Sequence, residues 1–325
     1  MKRLFLFLTI LGVQTYGYAQ QDAQLSMYMF NLLHFNPAYA GSKECLSAVG
    51  VYRHQWDNIQ GAPRTVSLSV HNKFKKDHYN WGLSFKGDKL GLTTAGNLEG
   101  IFAYKVRMSD EIRLHLGISA GVAFIQRQTQ DAIVSQFGDP MQSNNPNKLA
   151  PNIGFGAFLY GDKFFVGGAI PHLLLVSYRE NEFLAGDSSG QFNHLFFQGG
   201  LILGNTDKFK FRPSTMIKYA SNAPLSVDVN LSALFSERFW IGASYRFGGN
   251  IYSIDNNTAV RQIGSGNAIV GTIKFLITQQ LEIGYAYDYP LHSLISRGSH
   301  EMMLGFNLCK GKTVRFVTPR YVNYF

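Results

Sequence analysis

The stretch Leu225-Ser226-Val227-Asp228-Val229-Asn230-Leu231-Ser232-Ala233-Leu234-Phe235 decides the fold. Its apolar residues Leu225, Val227, Val229, Leu231, Ala233 and Phe235 fall on every second position, with Ser226, Asp228, Asn230 and Ser232 between them. A strand turns successive side chains to opposite faces, so this run makes one apolar and one polar face. The same period recurs on either side. Ile112, Leu114, Leu116, Ile118, Ala120, Val122 and Phe124 alternate with Arg113, His115, Gly117, Ser119, Gly121 and Ala123. Phe209, Phe211, Ile217 and Tyr219 oppose Lys208, Lys210, Arg212 and Lys218, and Phe239, Ile241, Ala243, Tyr245 and Phe247 oppose Arg238, Trp240, Gly242, Ser244 and Arg246.

Extended over the chain, the pattern predicts strands at 45–54, 63–74, 79–87, 95–107, 111–126, 152–161, 163–170, 194–204, 208–219, 224–235, 238–247, 265–277, 280–288 and 299–309, about fourteen in all. A secreted β-sandwich would alternate in the same way; the connections separate the two. Those at 75–78, 109–110, 161–162, 205–207, 236–237 and 278–279 are short and are every second one, whereas 127–151, 171–193, 248–264 and 289–298 are long and polar or Gly-rich. A sandwich has no reason to sort loop length by parity. An outer-membrane barrel does, with short periplasmic turns and long extracellular loops. The predicted fold is therefore all-β: a transmembrane, antiparallel, up-and-down barrel over 45–309, its even strand count returning both ends to one side.

Composition agrees. Of 325 residues, 16% are charged and 14% aromatic, with 33 glycines; a soluble globule carries closer to a quarter charged residues. After the N-terminus no run approaches the ~18 apolar residues of a membrane helix. Residues 1–19 read as a cleaved secretory signal: Met1-Lys2-Arg3, an apolar Leu4–Val13, and small residues in Gly17-Tyr18-Ala19 with cleavage after Ala19. The mature chain then has a pre-barrel segment (20–44), the barrel (45–309) and a tail (310–325). The net charge of +9 points to anionic partners such as lipopolysaccharide. No basic motif interleaved with stacking aromatics points to nucleic acid.

The inward phase places Lys105, Arg107, Arg113, Lys210, Arg212, Lys218 and Arg246 in the lumen against Glu99, Asp228, Glu282 and Glu301. That lumen is net basic. Pairing across the barrel and a charge-selective pore both remain open readings. The two cysteines, Cys45 and Cys309, open the first strand and close the last, on neighbouring strands at one rim; a disulfide and two separate thiols both fit. No Cys-x-x-Cys or Cys/His ligand spacing exists, and no metal or cofactor set is read from the chain. In residues 20–41, Leu25, Tyr28, Met29, Leu32 and Leu33 recur at helical spacing, so a short amphipathic helix is predicted after Asp22 as its N-cap, stopped by Asn36-Pro37.

Gln24-Leu25-Ser26-Met27-Tyr28-Met29-Phe30-Asn31 followed by Asn36-Pro37-Ala38-Tyr39-Ala40-Gly41-Ser42 resembles the opening of the PorP/SprF family of Bacteroidetes type IX secretion and gliding motility. Tyr52-Arg53-His54-Gln55-Trp56 with Gly61-Ala62-Pro63-Arg64-Thr65 is similar to its next block. Gly284-Tyr285-Ala286-Tyr287-Asp288, Ser299-His300-Glu301 and Pro319-Arg320 look like its closing blocks. The departure is Ala23-Gln24-Leu25, where a Pro and an aromatic are expected. The resemblance implies an outer-membrane protein of a Gram-negative, Bacteroidetes-like cell. It would work with other type IX components and engage the C-terminal sorting domain of a secreted adhesin for export or surface attachment. It implies no catalytic residues, only partner-binding or plug positions: Tyr28, Phe30, Asn36, Pro37, Tyr39, Arg53, Trp56, Asp288, His300 and Glu301. Structural roles suit these as well: Asn36-Pro37 as a helix stop, Trp56 in the interfacial belt, and His300-Glu301 as a lumen pair.

Three functions compete. The first is this secretion component, with residues 20–41 inside or beneath the barrel at its periplasmic end. The second is a passive porin with a basic lumen. The third, an outer-membrane enzyme such as a lipase or acyltransferase, needs a convergent Ser/His/acid set facing lipid or the surface. Ser299-His300-Glu301 are consecutive and cannot converge on a strand, so an enzyme is not expected.

Overall fold

The computed structural model describes residues 24–75, 78–128, 130, 147–174, 194–206, 209–220, 225–248, 250–254, 260–265, 267–291 and 297–309. The expected signal (1–19) and tail (310–325) lie outside them, as does Asp22. The described strands are β1 (Leu46–His54), β2 (Arg64–Lys73), β3 (Tyr79–Leu90), β4 (Thr93–Arg107), β5 (Arg113–Arg127), β6 (Asn147–Tyr160), β7 (Phe164–Ile170), β8 (His194–Leu201), β9 (Leu203–Thr206), β10 (Phe209–Ala220), β11 (Ser226–Phe235), β12 (Phe239–Phe247), β13 (Asn250–Ile254), β14 (Val260–Ser265), β15 (Ala268–Leu276), β16 (Leu281–Pro290) and β17 (Ser299–Leu308).

Every pairing is antiparallel. The ladder closes into one ring: β10 pairs with its successor β11, and the first strand β1 with the last described one, β17, from Leu46↔Leu308 to His54↔His300. β8 and β9 both pair with β10 and are one strand broken at Ile202, while β13 and β14 form a separate hairpin within the 248–267 connection. The ring therefore has 14 strand positions, each matching a strand expected from the alternation. The hairpin was not expected; β5 and β6 reach further into 127–151 than expected, to Arg127 and from Asn147.

Alternation becomes inside and outside. On β11, Val229 and Leu231 are exposed on the outer surface, while Asp228, Asn230 and Ser232 face inward and are buried. The exterior carries Leu68, Leu83, Leu116, Ile241, Ile283 and Leu304 in the same way, as a surface in lipid requires. Aromatics collect at one rim: the Phe209, Phe235, Phe239 and Phe275 rings follow one another at 5.3, 6.4 and 4.4 Å, and Tyr79 lies beside Phe102 and Tyr104. This is the turn rim, where the connections 74–78, 108–112, 161–163, 207–208, 236–238 and 277–280 are short. The opposite, loop rim carries 55–63, 91–92, 128–146, 171–193, 221–225, 248–267 and 291–298.

The core of the molecule lies in the lumen, because residues 25–41 fill it; all of them are buried. The α-helix expected there does not form. Instead the segment makes three short 3-10 turns, at Tyr28–Phe30, Leu32–His34 and Pro37–Tyr39. The apolar spacing was read for one buried face, but the wall surrounds the segment, and the wall supplies partners to backbone groups that a helix would have satisfied internally.

Candidate functional site

The plug enters at the turn rim and runs the length of the barrel. At its foot, Cys45 and Cys309 are joined in a disulfide, Cα to Cα 4.9 Å, stapling β1 to β17. Beside them Lys105 Nζ lies 3.4 Å from Glu44, and Lys43 donates to Asn307. Higher up, Gly41 N donates to His71 Nδ1, and His115 Nδ1 donates to the Ala40 carbonyl, which leaves His115 Nε2 to accept from Tyr160 OH. Asn36 caps the third turn by accepting from Ala38 N at 2.9 Å while its Nδ2 donates to the Ala157 carbonyl of β6. The wall is recessed there. A β-carbon on Gly156 would overlap Asn36 Oδ1, and one on Gly117 would overlap the Ala38 backbone.

Its middle is aromatic. Phe35 packs on Phe196 and Tyr39 on Phe158, at 5.2 and 5.4 Å between ring centroids. Phe30 meets Trp240 edge-on, with the Arg212 guanidinium 4.7 Å and the Lys274 ammonium 4.2 Å from its ring. These cation–π contacts add to the pairing of the buried cations in the lumen. Burial pushes the Tyr28 and Tyr39 phenols up from their ordinary value, so both stay neutral.

At the loop rim the plug's first residues meet charge. Lys218 (β10), Asp228 (β11), Arg246 (β12), Asp288 (β16), Arg53 (β1) and Glu301 (β17) form an alternating chain, each linked to the next at 2.8, 2.9, 2.9, 2.8 and 3.1 Å. Ser26 lies in the middle. Its Oγ donates to Asp288 and accepts from Arg53 and Arg246, and the Ser26 and Met27 amides each donate to Glu301 at 2.7 Å. Elsewhere Lys274 pairs with Glu282 at 3.0 Å and Lys210 with Glu237 at 3.5 Å. The lumen charges pair with the wall and the plug rather than line an open channel. Arg107, at the end of β4, is exposed instead.

Of the residues singled out from sequence, Arg53, Asp288 and Glu301 come together in this chain, and Tyr28, Phe30, Asn36, Pro37 and Tyr39 belong to the plug. His300 and Trp56 do not join them. His300 faces outward, its Nδ1 2.7 Å from Tyr285 OH and its ring 5.1 Å from Tyr287, so His300-Glu301 is not a lumen pair. Consecutive strand residues point to opposite faces. Trp56 sits half-buried in the 55–63 connection at φ +53°, its amide donating to Ser299 Oγ. Lys274, Ser26 and Met27 were missed. Lys274 stands in phase with Thr272, so alternation alone could have found it; the Ser26 and Met27 contacts run through backbone amides, which every residue has.

The plug also ends elsewhere than expected. It lies inside the barrel, as one of the two expected placements had it, but it starts at the loop rim and not at the turn-rim end, because Arg53, Asp288 and Glu301 stand near the loop-side ends of their strands. Gln24, the first described residue, is half-buried where the chain emerges.

A family model described as type IX secretion system membrane protein PorP/SprF matches residues 17–306. No curated protein sequence matches. Among solved structures, the Acinetobacter baumannii outer membrane protein Omp33 is 8% identical and covers 82% of this chain and 98% of its own, with a TM-score of 0.46. The Ralstonia pickettii toluene transporter TbuX is 9% identical, covering 87% and 93% at TM-score 0.49. The CymD monoaromatic hydrocarbon channel is 10% identical, covering 93% and 96% at 0.49. With a closed barrel, an apolar exterior and a family match over nearly the whole chain, the protein belongs to the PorP/SprF family and is an outer-membrane component of the type IX secretion system.

Proposed function

We propose that this barrel engages the C-terminal sorting domain of a secreted adhesin, holding the adhesin at the outer membrane during export or surface attachment, without turnover. One observation carries the choice between this and a passive porin: the lumen is filled by residues 25–41, all of them buried, with Ser26, Asn36 and Gly41 among those bonded to the wall. A filled lumen suits a scaffold and not a resting conduit. The short turns fit a periplasmic side, where other type IX components stand, and the long connections an exterior side. The two longest expected connections, 127–151 and 171–193, are the ones to which we assign much of the contact; the strands shorten the first to 128–146, and most of both lies outside the described residues.

Deleting residues 131–146 or 175–193 tests the reading. The expected outcome is a barrel that still shifts in mobility on heating, in cells that no longer display one large adhesin. Normal display of every surface protein combined with lost uptake of a small solute would favour the porin. Protease on intact cells should cut within these two connections and spare the short turns; the reverse pattern would invert the orientation.

A further inference from the structure

Apolar packing would hold a plug more cheaply than six desolvated charges do, since a buried ion network seldom adds net stability over hydrophobic groups of the same size. The lower plug, from Phe30 to Tyr39, is held in the apolar way. The upper end is held by Lys218, Asp228, Arg246, Asp288, Arg53 and Glu301, equal in cations and carboxylates, of which Arg246, Asp288, Arg53 and Glu301 bond Ser26 or its neighbour. The contacts are of an unusual kind. Glu301 sets Oε2 on the Ser26 amide and Oε1 on the Met27 amide, gripping two consecutive backbone N–H groups whatever their side chains. The one side chain read is a small hydroxyl, bonded by two arginines and a carboxylate. Nor does the plug saturate this end: among the described residues Arg53 Nε and Asp288 Oδ1, both deeply buried, have no hydrogen-bond partner. Among the described residues, Gln24 to Met27 form no helix or strand.

We propose that the loop-rim end of the lumen is a receptor for a short, bent polypeptide segment, occupied by the chain's own residues 24–28 at rest and taken over by such a segment of the secreted partner. The cup reads a backbone through paired amides and one small polar side chain, and its charges sum to zero, so the incoming segment is uncharged at the position of Ser26. The partner's identity rests on the function proposed above; the receptor does not.

The test uses the full chain carrying Leu25→Cys, the native cysteines being bonded to each other. Leu25 is 1% exposed, so a thiol reagent labels it slowly at rest. An excess of the synthetic peptide Gln24–Phe30 should speed labelling, and a scrambled peptide should not. Adding Glu301→Gln, or Ser26→Ala where that variant fails to fold, should raise the resting rate about tenfold or more, the factor for losing a hydrogen bond to a charged group. A folded barrel whose labelling ignores peptide and substitution alike overturns the receptor. The purified sorting domain is then added and its retention on immobilised barrel is read separately. Retention with faster labelling supports the exchange. Retention without it overturns the exchange and leaves the proposed function standing; no retention, with the peptide still active, removes the proposed function and the partner half of the proposal together.

Discussion

Glu301 has the most to lose from a single substitution. It is fully buried and balances Arg53 on one side and two backbone amides on the other. Removing one partner of a buried pair costs about 3–5 kcal/mol, and because Arg53 keeps Asp288 the low end of that range applies here. Glu301→Gln, isosteric and neutral, should lower the urea midpoint for loss of the heat-shifted band by an amount in that range, and Asp288→Asn should act alike through two arginines. An unchanged midpoint would mean that water reaches the chain of charges. Gly156 makes the opposite case, where adding an atom is the damage. Gly156→Ala puts a methyl group into the space of Asn36 Oδ1, and overpacking of this kind costs about 1–3 kcal/mol. Asn36→Ala should lose a similar amount by removing the turn cap and the bond to Ala157. The double variant should then cost less than the sum of the two, since the alanine leaves room for the methyl; strict additivity would deny the contact.

Among the elements, the strands and the presence of a plug were legible, and the plug's conformation was not. Alternation in β11 and β5 is a local signal, because one face meets lipid and the other does not, and each strand carries it unaided. The closure of the ring was legible through loop parity and the even count. The pairing Asp288–Arg246 was beyond reach: it joins β16 to β12 across β15 and depends on how far strands tilt, which no single strand records. The plug misled because a helical period assumes one wet face, whereas Leu25 and Tyr28 to Leu33 are buried all round. The plug as an element makes its own prediction. Removing residues 24–40 should turn a barrel silent in a planar bilayer into one that conducts at rest, with preference for anions from Lys105, Arg212 and Lys274. A wild-type protein that conducts steadily, or a truncated one that stays silent, would show that the segment does not close the lumen.

For the whole molecule, the disulfide spans a sequence separation of 264 residues. In the chain-entropy account, closing so long a loop restricts the unfolded chain by about 5 kcal/mol. The paired substitution Cys45→Ser and Cys309→Ser should therefore lower the temperature at which the compact band is lost, while leaving plug and loops in place and adhesin display intact. Reducing agent should reproduce the shift in the wild type and have no effect on the double variant. Equal stability of oxidised and reduced wild type would show that the β1–β17 ladder already fixes the seam.

The seam also sets an order of events. Of the described strands, β1 is the first made and its partner β17 the last, so until residues 299–308 arrive the nascent wall has two open edges, and an open edge recruits any strand that meets it. The segment in the lumen precedes β1, so it is present from the start and the wall must be wrapped around it. The chain thus carries its own mould, and the contact that completes the cylinder has the greatest separation in sequence, which makes closure the slow step. Loss of the last ten residues of the ladder would be felt not as a weaker barrel but as no barrel, with the early strands left to a chaperone or to one another.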